Sequence, residues 1–248
     1  MYEYGLQLYS VRDIAKKDYE AALRGVAEMG YKKVESAGFF GLPAAEVGAM
    51  LRHYGLQLCS THTDLDELET DFEGTVTYHK ALGCADLIVP GVSFRTKEKL
   101  DHSIELLNRF RSMLEAEGIR MHYHNHYQEF LPNEDGIIPM EELVGRTSLF
   151  LEIDTFWTLN AGLDPLATLE KYRDRILFIH LQDGQTQDLS DPKSRAVGCS
   201  LGLGRLPVQQ VRDKAMELGA QIVVESEGLD PTGLEEVRRC IDFLRTID

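Results

Sequence analysis

The sequence predicts an α/β fold, one closed (β/α)₈ TIM barrel, on three observations. Short β-rich runs alternate with helical stretches eight times along the chain. Glycines close the helical stretches just ahead of the next strand. The length, 248 residues, is ordinary for one barrel of this kind. Strands that alternate with helices imply a parallel sheet. The expectation is therefore one barrel domain over residues 1–248.

The strands are expected at Tyr4–Leu8, Lys33–Ser36, Gln57–His62, Asp86–Pro90, Arg120–His124, Leu149–Asp154, Ile176–His180 and Gln221–Ser226. Helical periodicity marks Tyr19–Met29, Ala44–Tyr54, Lys97–Glu117, Pro207–Leu218 and Gly233–Ile247. Gly30, Gly55, Gly83, Gly118 and Gly219 stand where a left-handed residue ends a helix at low cost. Pro43, Pro165, Pro207 and Pro231 stand at helix starts, where a missing N–H costs nothing. No G-x-G-x-x-G follows the first strand, which speaks against a dinucleotide-binding sheet. The longest irregular piece, Asp183–Leu206, reads as either a lid or a decorative loop on the face where barrels carry their chemistry.

Composition narrows the function. Hydrophobic residues make up 43% and charged residues 27%, a globular balance. The formal net charge of −15 opposes docking to nucleic acid and to anionic membranes. Neither is an expected partner. No apolar run approaches the roughly 20 residues that span a bilayer, and the N-terminus has no basic region followed by an apolar stretch. Cys59, Cys84, Cys199 and Cys240 form no C-x-x-C pair and read as free thiols in a reducing compartment. A cytoplasmic location follows as an expectation. His53, His79 and His102 lie on helices and are expected at the surface, and Glu67, Glu69, Asp71 and Glu73 as a solvated face.

Function in such a barrel sits at the C-terminal ends of the strands. There the sequence places Gln7, Glu35, His62, His124, His126, Glu152, Asp154, His180, Gln182 and Glu225. Burying charges is costly unless they are compensated, and a divalent cation compensates carboxylates while accepting imidazole nitrogen. Alternate strand residues point inward. By that parity Asp154, His180 and Glu225 take equivalent last-inward positions on three consecutive strands. Their oxygen and nitrogen donors suit Mn²⁺, Co²⁺, Zn²⁺ or Mg²⁺ without selecting one. The fourth ligand comes from the fifth strand, as His124 at its end or as Glu129 after a turn. Spacing does not choose between them. Glu129 is taken as the ligand, with His124 and His126 facing the substrate beside Glu225 as catalytic groups. Gln7, Glu35, His62 and Gln182 are expected to bind substrate, with Trp157 as an aromatic wall against a sugar face.

With those residues in place, the chain resembles the xylose isomerase-like barrel superfamily, the sugar phosphate isomerases/epimerases related to the endonuclease IV fold. The resemblance rests on Gly5-Leu-Gln-Leu-Tyr-Ser-Val-Arg12, Tyr123-His-Asn-His-Tyr-Gln-Glu-Phe130, Leu151-Glu-Ile-Asp-Thr-Phe-Trp157, Ile179-His-Leu-Gln-Asp183, Gly202-Leu-Gly204 and Val224-Glu-Ser226, in family order over almost the whole chain. It implies a Glu/Asp/His/Glu metal site that polarises a carbonyl and a hydroxyl of a keto sugar while carboxylates move a proton between neighbouring carbons. Asp154, His180 and Glu225 match; His124 stands where ketose epimerases of the family carry a glutamate. The His-Asn-His form is similar to a subgroup of dehydratases and lyases of keto-inositols and keto-glycosides.

The function implied is a divalent-metal-dependent isomerase or epimerase of a ketose or related polyol, working through an enediolate. The alternative is a metal-dependent lyase or dehydratase of a keto-inositol or 3-keto-glycoside. A non-catalytic sugar-binding protein is a further alternative, and an apurinic-site endonuclease is opposed by the net charge. The partner implied is a small sugar or sugar derivative, and the resemblance adds a homodimer.

Overall fold

The computed structural model describes residues 2–186 and 196–248. The strands are β1 (Gly5–Gln7), β2 (Lys33–Ala37), β3 (Gln57–His62), β4 (Asp86–Val89), β5 (Arg120–His124), β6 (Phe150–Asp154), β7 (Ile176–Thr186), β8 (Ala196–Cys199) and β9 (Gln221–Glu225). Seven parallel pairings run from β1 to β7 and on to β9, and β9 pairs back with β1, closing an eight-stranded barrel. The fold class expected from the sequence is the fold observed.

The elements form for the reasons the sequence suggests. Gly55, Gly83 and Gly219 end their helices with φ of 64°, 68° and 71°, a region open to glycine at little cost. Asp18, Thr96 and Thr232 accept hydrogen bonds from backbone N–H groups at the starts of helices Tyr19–Glu28, Lys97–Ala116 and Gly233–Ile247. The main core lies between strands and helices, built from outward residues such as Leu6, Val34, Leu87, Leu151 and Ile179. Ile88, Phe178 and Val223 fill the barrel's interior as a separate small cluster. Polar inward residues are therefore confined to the layers above it. No helix of the described residues is long and apolar enough to cross a membrane.

Two expectations change. The segment after His180 is not irregular at its ends: β7 continues to Thr186 and pairs antiparallel with β8, Asp183 opposite Cys199 and Gln185 opposite Val197. Gln187–Arg195, the rest of the expected lid or loop, lies outside the described residues. Asp183 ties the hairpin base, its buried carboxylate accepting from the N–H groups of Gly184, Gly202, Gly204 and Leu206 at 2.9–3.0 Å. A Cβ on Gly204 would lie 2.0 Å from Asp183 Oδ1, which explains the glycine there. The second change is His79, expected at the surface but only 3% exposed. Its Nδ1 donates to the Thr75 carbonyl and its Nε2 bonds the Thr61 hydroxyl at 2.7 Å, beneath β3. All four cysteines are free, Cys84 and Cys240 buried and Cys59 and Cys199 half-buried.

Candidate active site

Register carries four donors to the barrel mouth. Asp154 stands level with His180 across β6 and β7, and Glu225 stands level with Gln182 across β9 and β7. Glu225 is thus one inward step beyond the position parity alone assigns, as the stagger of a closed barrel demands. His124 ends β5 beside them. One ligand atom from each of His124, Asp154, His180 and Glu225 lies within 4.8 Å of the other three. His180 Nδ1 is 3.0 Å from Glu225 Oε2 and 3.8 Å from Asp154 Oδ2, and His124 Nε2 is 3.8 Å from Asp154 Oδ2.

These atoms are buried and short of partners. Asp154 Oδ1 accepts from Trp157 N at 2.7 Å, leaving Oδ2 without a hydrogen bond, and neither ring nitrogen of His124 has one. Unpaired buried polar atoms are destabilising unless something meets them. His180 sharpens the point. Its Nε2 lies 2.8 Å from Glu35 Oε1, so as a neutral ring donating there it aims the Nδ1 lone pair at two carboxylates. A proton or a cation at that point removes the conflict, and His124, Asp154, His180 and Glu225 could hold a divalent cation there.

The electrostatics reflect the same crowding. Burial, with the Glu225 charge beside it, holds the Asp154 carboxyl well above the usual carboxylate range. Burial also opposes ionisation of Glu225, but the His180 charge outweighs it and holds that carboxyl low. His124 is held well below the ordinary imidazole value by burial and by the neighbouring His180. Burial lowers His126 as well.

Beneath the mouth lies a second polar layer. Glu35 accepts from Gln7 Nε2 at 2.7 Å and from the Ser60 hydroxyl at 2.5 Å. His62 Nε2 sits 3.1 Å from Glu35 and 2.9 Å from Glu152. Glu35, His62, Glu152 and His180 form a second group of close donors. His180 belongs to both layers, and a carboxylate on the far nitrogen fixes the tautomer of a ligand histidine.

A cavity of about 440 Å³ opens over the mouth, lined among others by Tyr9, His62, Glu67, His124, His126, Trp157, Glu225 and Glu227. Trp157 stands beside His126, ring centroids 5.8 Å apart. Of the residues expected to bind substrate, His62 and Trp157 reach this space. Gln7 and Glu35 are buried below it and engage each other; Gln182 is buried, and neither atom of its side-chain amide has a hydrogen-bond partner.

At the fifth strand the geometry brings His124, rather than Glu129, to the other three residues. Glu129 is absent from both donor groups. The short 3₁₀ turn Gln128–Phe130 folds its carboxylate back, where Oε2 accepts from His126 N at 2.8 Å and Oε1 from the Tyr123 hydroxyl at 3.0 Å. Glu129 is a clip that shapes the His-Asn-His turn, and His124 is the β5 donor at the mouth. Sequence reasoning also left Glu152, Asn125 and Glu227 without roles. Glu152 and Glu227 share inward parity with Asp154 and Glu225, a signal that was available. Asn125 spans two strands: its Oδ1 accepts from Asp154 N at 3.1 Å and its Nδ2 donates to Asp154 O at 3.3 Å.

The sequence profile described as the xylose isomerase-like TIM barrel matches residues 23–247. The chain belongs to this xylose isomerase-like TIM barrel family. Among curated members, it is 27% identical over 189 residues to the inosose dehydratase of Geobacillus kaustophilus, covering 66% of this chain and 61% of that protein. It is 23% identical over 266 residues to the inosose dehydratase of Mesomycoplasma hyopneumoniae, covering 92% of this chain and 88% of that protein. Among solved structures, a sugar phosphate isomerase/epimerase from Parabacteroides distasonis superposes with a TM-score of 0.81 at 23% identity, over 98% of this chain and 97% of that one. Within the family, then, this chain is similar both to proteins named as dehydratases and to one named as an isomerase/epimerase.

Proposed function

We propose that this family member is a divalent-metal-dependent lyase or dehydratase of a keto-polyol, a keto-inositol or 3-keto-glycoside. The observation that carries the reading is the β5 donor, His124. Epimerisation through an enediolate calls for a base on each face of the reacting carbon, and the resemblance assigns one of those to a glutamate at this position. Here two histidines stand there instead. Elimination needs one base and one acid, and the mouth offers Glu225 opposite His126. The names of the curated relatives point the same way.

A divalent cation held by His124, Asp154, His180 and Glu225 would supply Lewis-acid polarisation of a substrate carbonyl. The chain's own residues do the rest. Glu35 and Glu152 hold His180 in orientation from below. Trp157 offers a flat apolar face to the sugar ring, and the cavity excludes bulk water from one side. Glu225 takes the proton α to the carbonyl as general base. The C–O bond at the β carbon then breaks, and the imidazolium form of His126, a minority near neutral pH because burial lowers its pKa, gives its proton to the departing oxygen, which leaves as water or an alcohol. The products are an unsaturated ketone and that hydroxyl compound.

A second reading, isomerisation or epimerisation of a ketose, rests on Asp154, His180 and Glu225, which serve either chemistry. The test loads the protein with Mn²⁺, Co²⁺, Zn²⁺ or Mg²⁺ in turn and offers keto-inositols, 3-keto-glucosides and ketohexoses in D₂O. Loss of water or alcohol with a new conjugated-carbonyl absorbance, abolished by chelator, is the expected result. Deuterium exchange with an epimer or isomer and no elimination would move the assignment to the second reading. We place this chemistry in the cytoplasm, a reading supported by the four free thiols.

A further inference from the structure

A second cavity adjoins the mouth. It measures about 670 Å³ and shares Gly38, His62 and Glu67 with the first, so the two are one continuous cleft. Its walls are the loop after β2 and the helix Phe72–Leu82, and their character differs from the mouth's. Phe39 packs on Tyr78 with ring centroids 4.6 Å apart, and the Tyr78 hydroxyl pins the loop by donating to the Leu42 carbonyl at 2.7 Å. Phe40 is 46% exposed.

Phe40 is also held in the left-handed region at φ 52°, between Gly38 at 85° and Gly41 at 77°. A large L-residue in that conformation carries strain of order 1 kcal/mol or more. The loop therefore keeps an exposed aromatic ring at a strained position beside a cavity. Glycine there would release the strain; the contact of the ring with Tyr19, centroids 5.9 Å apart, offsets part of it while the residue stays 46% exposed beside the cavity.

We propose that the substrate has two parts, a keto-sugar ring over the mouth and a second ring lying against Phe39, Phe40 and Tyr78. The class is a glycoside with a cyclic aglycone rather than a free keto-inositol. The proposal rests on the reading of the mouth given above, and it follows from the continuity of the cleft. The mouth takes a sugar ring, and the ground it shares with the aromatic cavity lies at Gly38, His62 and Glu67. A ligand reaching past those residues meets the tilted aromatic rings of Phe39 and Tyr78, with Phe40 beside them, surfaces that favour flat rings over charged groups.

The test compares methyl and phenyl glucosides of both anomers, by calorimetry on the full chain with Mn²⁺ present. Trp157, the single tryptophan of the chain, reports occupation of the mouth independently by its fluorescence. The phenyl glucoside should bind roughly tenfold or more tighter than the methyl one, as one well-placed aromatic contact provides. Phe40→Ala and Phe40→Gly should each remove most of that gain while leaving methyl glucoside affinity within about twofold. Phe40→Gly should do so with Tm unchanged or raised, which a merely structural role of the ring would not give. Equal affinity for the two glucosides, with methyl binding intact, overturns the second subsite alone. No binding of either overturns both the subsite and the reading of the mouth. A Phe40→Asp protein that changes from dimer to monomer in sedimentation, with its preference for phenyl unchanged, would assign the ring to a second copy of the chain and overturn the proposal.

Discussion

Asn125 offers the sharpest test of how the mouth is held. Its amide bridges the ends of β5 and β6 through two hydrogen bonds to the Asp154 backbone, and its side chain is fully buried. Asn125→Ala removes both. The Asp154 carbonyl keeps the Thr158 hydroxyl at 2.7 Å as a donor, so that side of the loss is small. Asp154 N is left as a buried donor with no acceptor, which costs about 1–3 kcal/mol, with about 1 kcal/mol more for the second bond. A loss of about 3 kcal/mol follows, or a Tm lower by roughly 6–12 °C for a chain of this size. Asp154 then loses the anchor that aims Oδ2 at the mouth, and a lost outer partner typically weakens metal binding about 10- to 100-fold. Asn125→Asp separates the two effects. It keeps an acceptor for Asp154 N but sets a carboxylate oxygen against the Asp154 carbonyl, so it should weaken Mn²⁺ binding too. Thermal melts and Mn²⁺ calorimetry on both variants measure these outcomes. Stability lost as expected with Mn²⁺ affinity unchanged within twofold would refute the positioning role.

Three further outcomes are expected. His124→Ala should lower Mn²⁺ affinity at least about 100-fold and Glu129→Gln less than about tenfold, by the outer-partner range above; calorimetry giving the reverse order would restore Glu129 as the ligand. Asp183→Ala strands four backbone N–H groups at the hairpin base and should cost about 3–5 kcal/mol in chemical denaturation, with a loss below about 1 kcal/mol showing that the hairpin does not depend on it. His79 titrates below its ordinary value because burial disfavours its charge, an effect only partly offset by the Thr75 carbonyl. Its folded value is thus lower than its unfolded value near 6.5, so the unfolded chain takes up the proton first. Stability should fall as pH drops below about 6.5, by at most about 1.4 kcal/mol per pH unit from this residue. Denaturation of His79→Gln across pH 7 to 5 should show a shallower fall than the parent, and an identical slope would exclude His79 as a source.

Much of this was legible because the barrel repeats one simple rule. β-branched runs followed by helical periodicity and a closing glycine place the strands, the far end of β7 apart, to within a residue or two, and inward parity then brings Asp154, His180 and Glu225 to one end. What parity does not contain is stagger, so it cannot tell that Glu225 stands level with Gln182 rather than His180. Nor does it reach past a strand's end. Whether the chain after His124 returns Glu129 to the mouth depends on a 3₁₀ turn, and the hydroxyl of Tyr123 decides where that carboxylate goes. The β7 extension was hidden because Gly184 and Gln185 carry no strand signature and their partner lies beyond a break in the pattern. His79 looked exposed because it sits on a surface helix, yet the Thr61 hydroxyl beneath β3 needs an acceptor.

The single imidazole shared between the two layers explains why so many carboxylates gather in one barrel. Glu35 and Glu152 below, Asp154 and Glu225 above, all face His180, whose two nitrogens look in opposite directions. The lower pair is answered within the protein, by His62, Gln7 and Ser60. The upper pair is answered by His180, by the Trp157 backbone N–H on Asp154 Oδ1 and by the unpartnered ring of His124, which leaves Asp154 Oδ2 without a hydrogen bond. An anionic glutamate in place of His124 would add a third negative charge to the upper layer, and a cation held there would then be fully neutralised and more. With His124 neutral, Asp154 and Glu225 as carboxylates would just balance a divalent charge held there. A divalent cation held there would draw electrons from a bound carbonyl more strongly than one facing a third anionic ligand, as the proposed elimination asks of it.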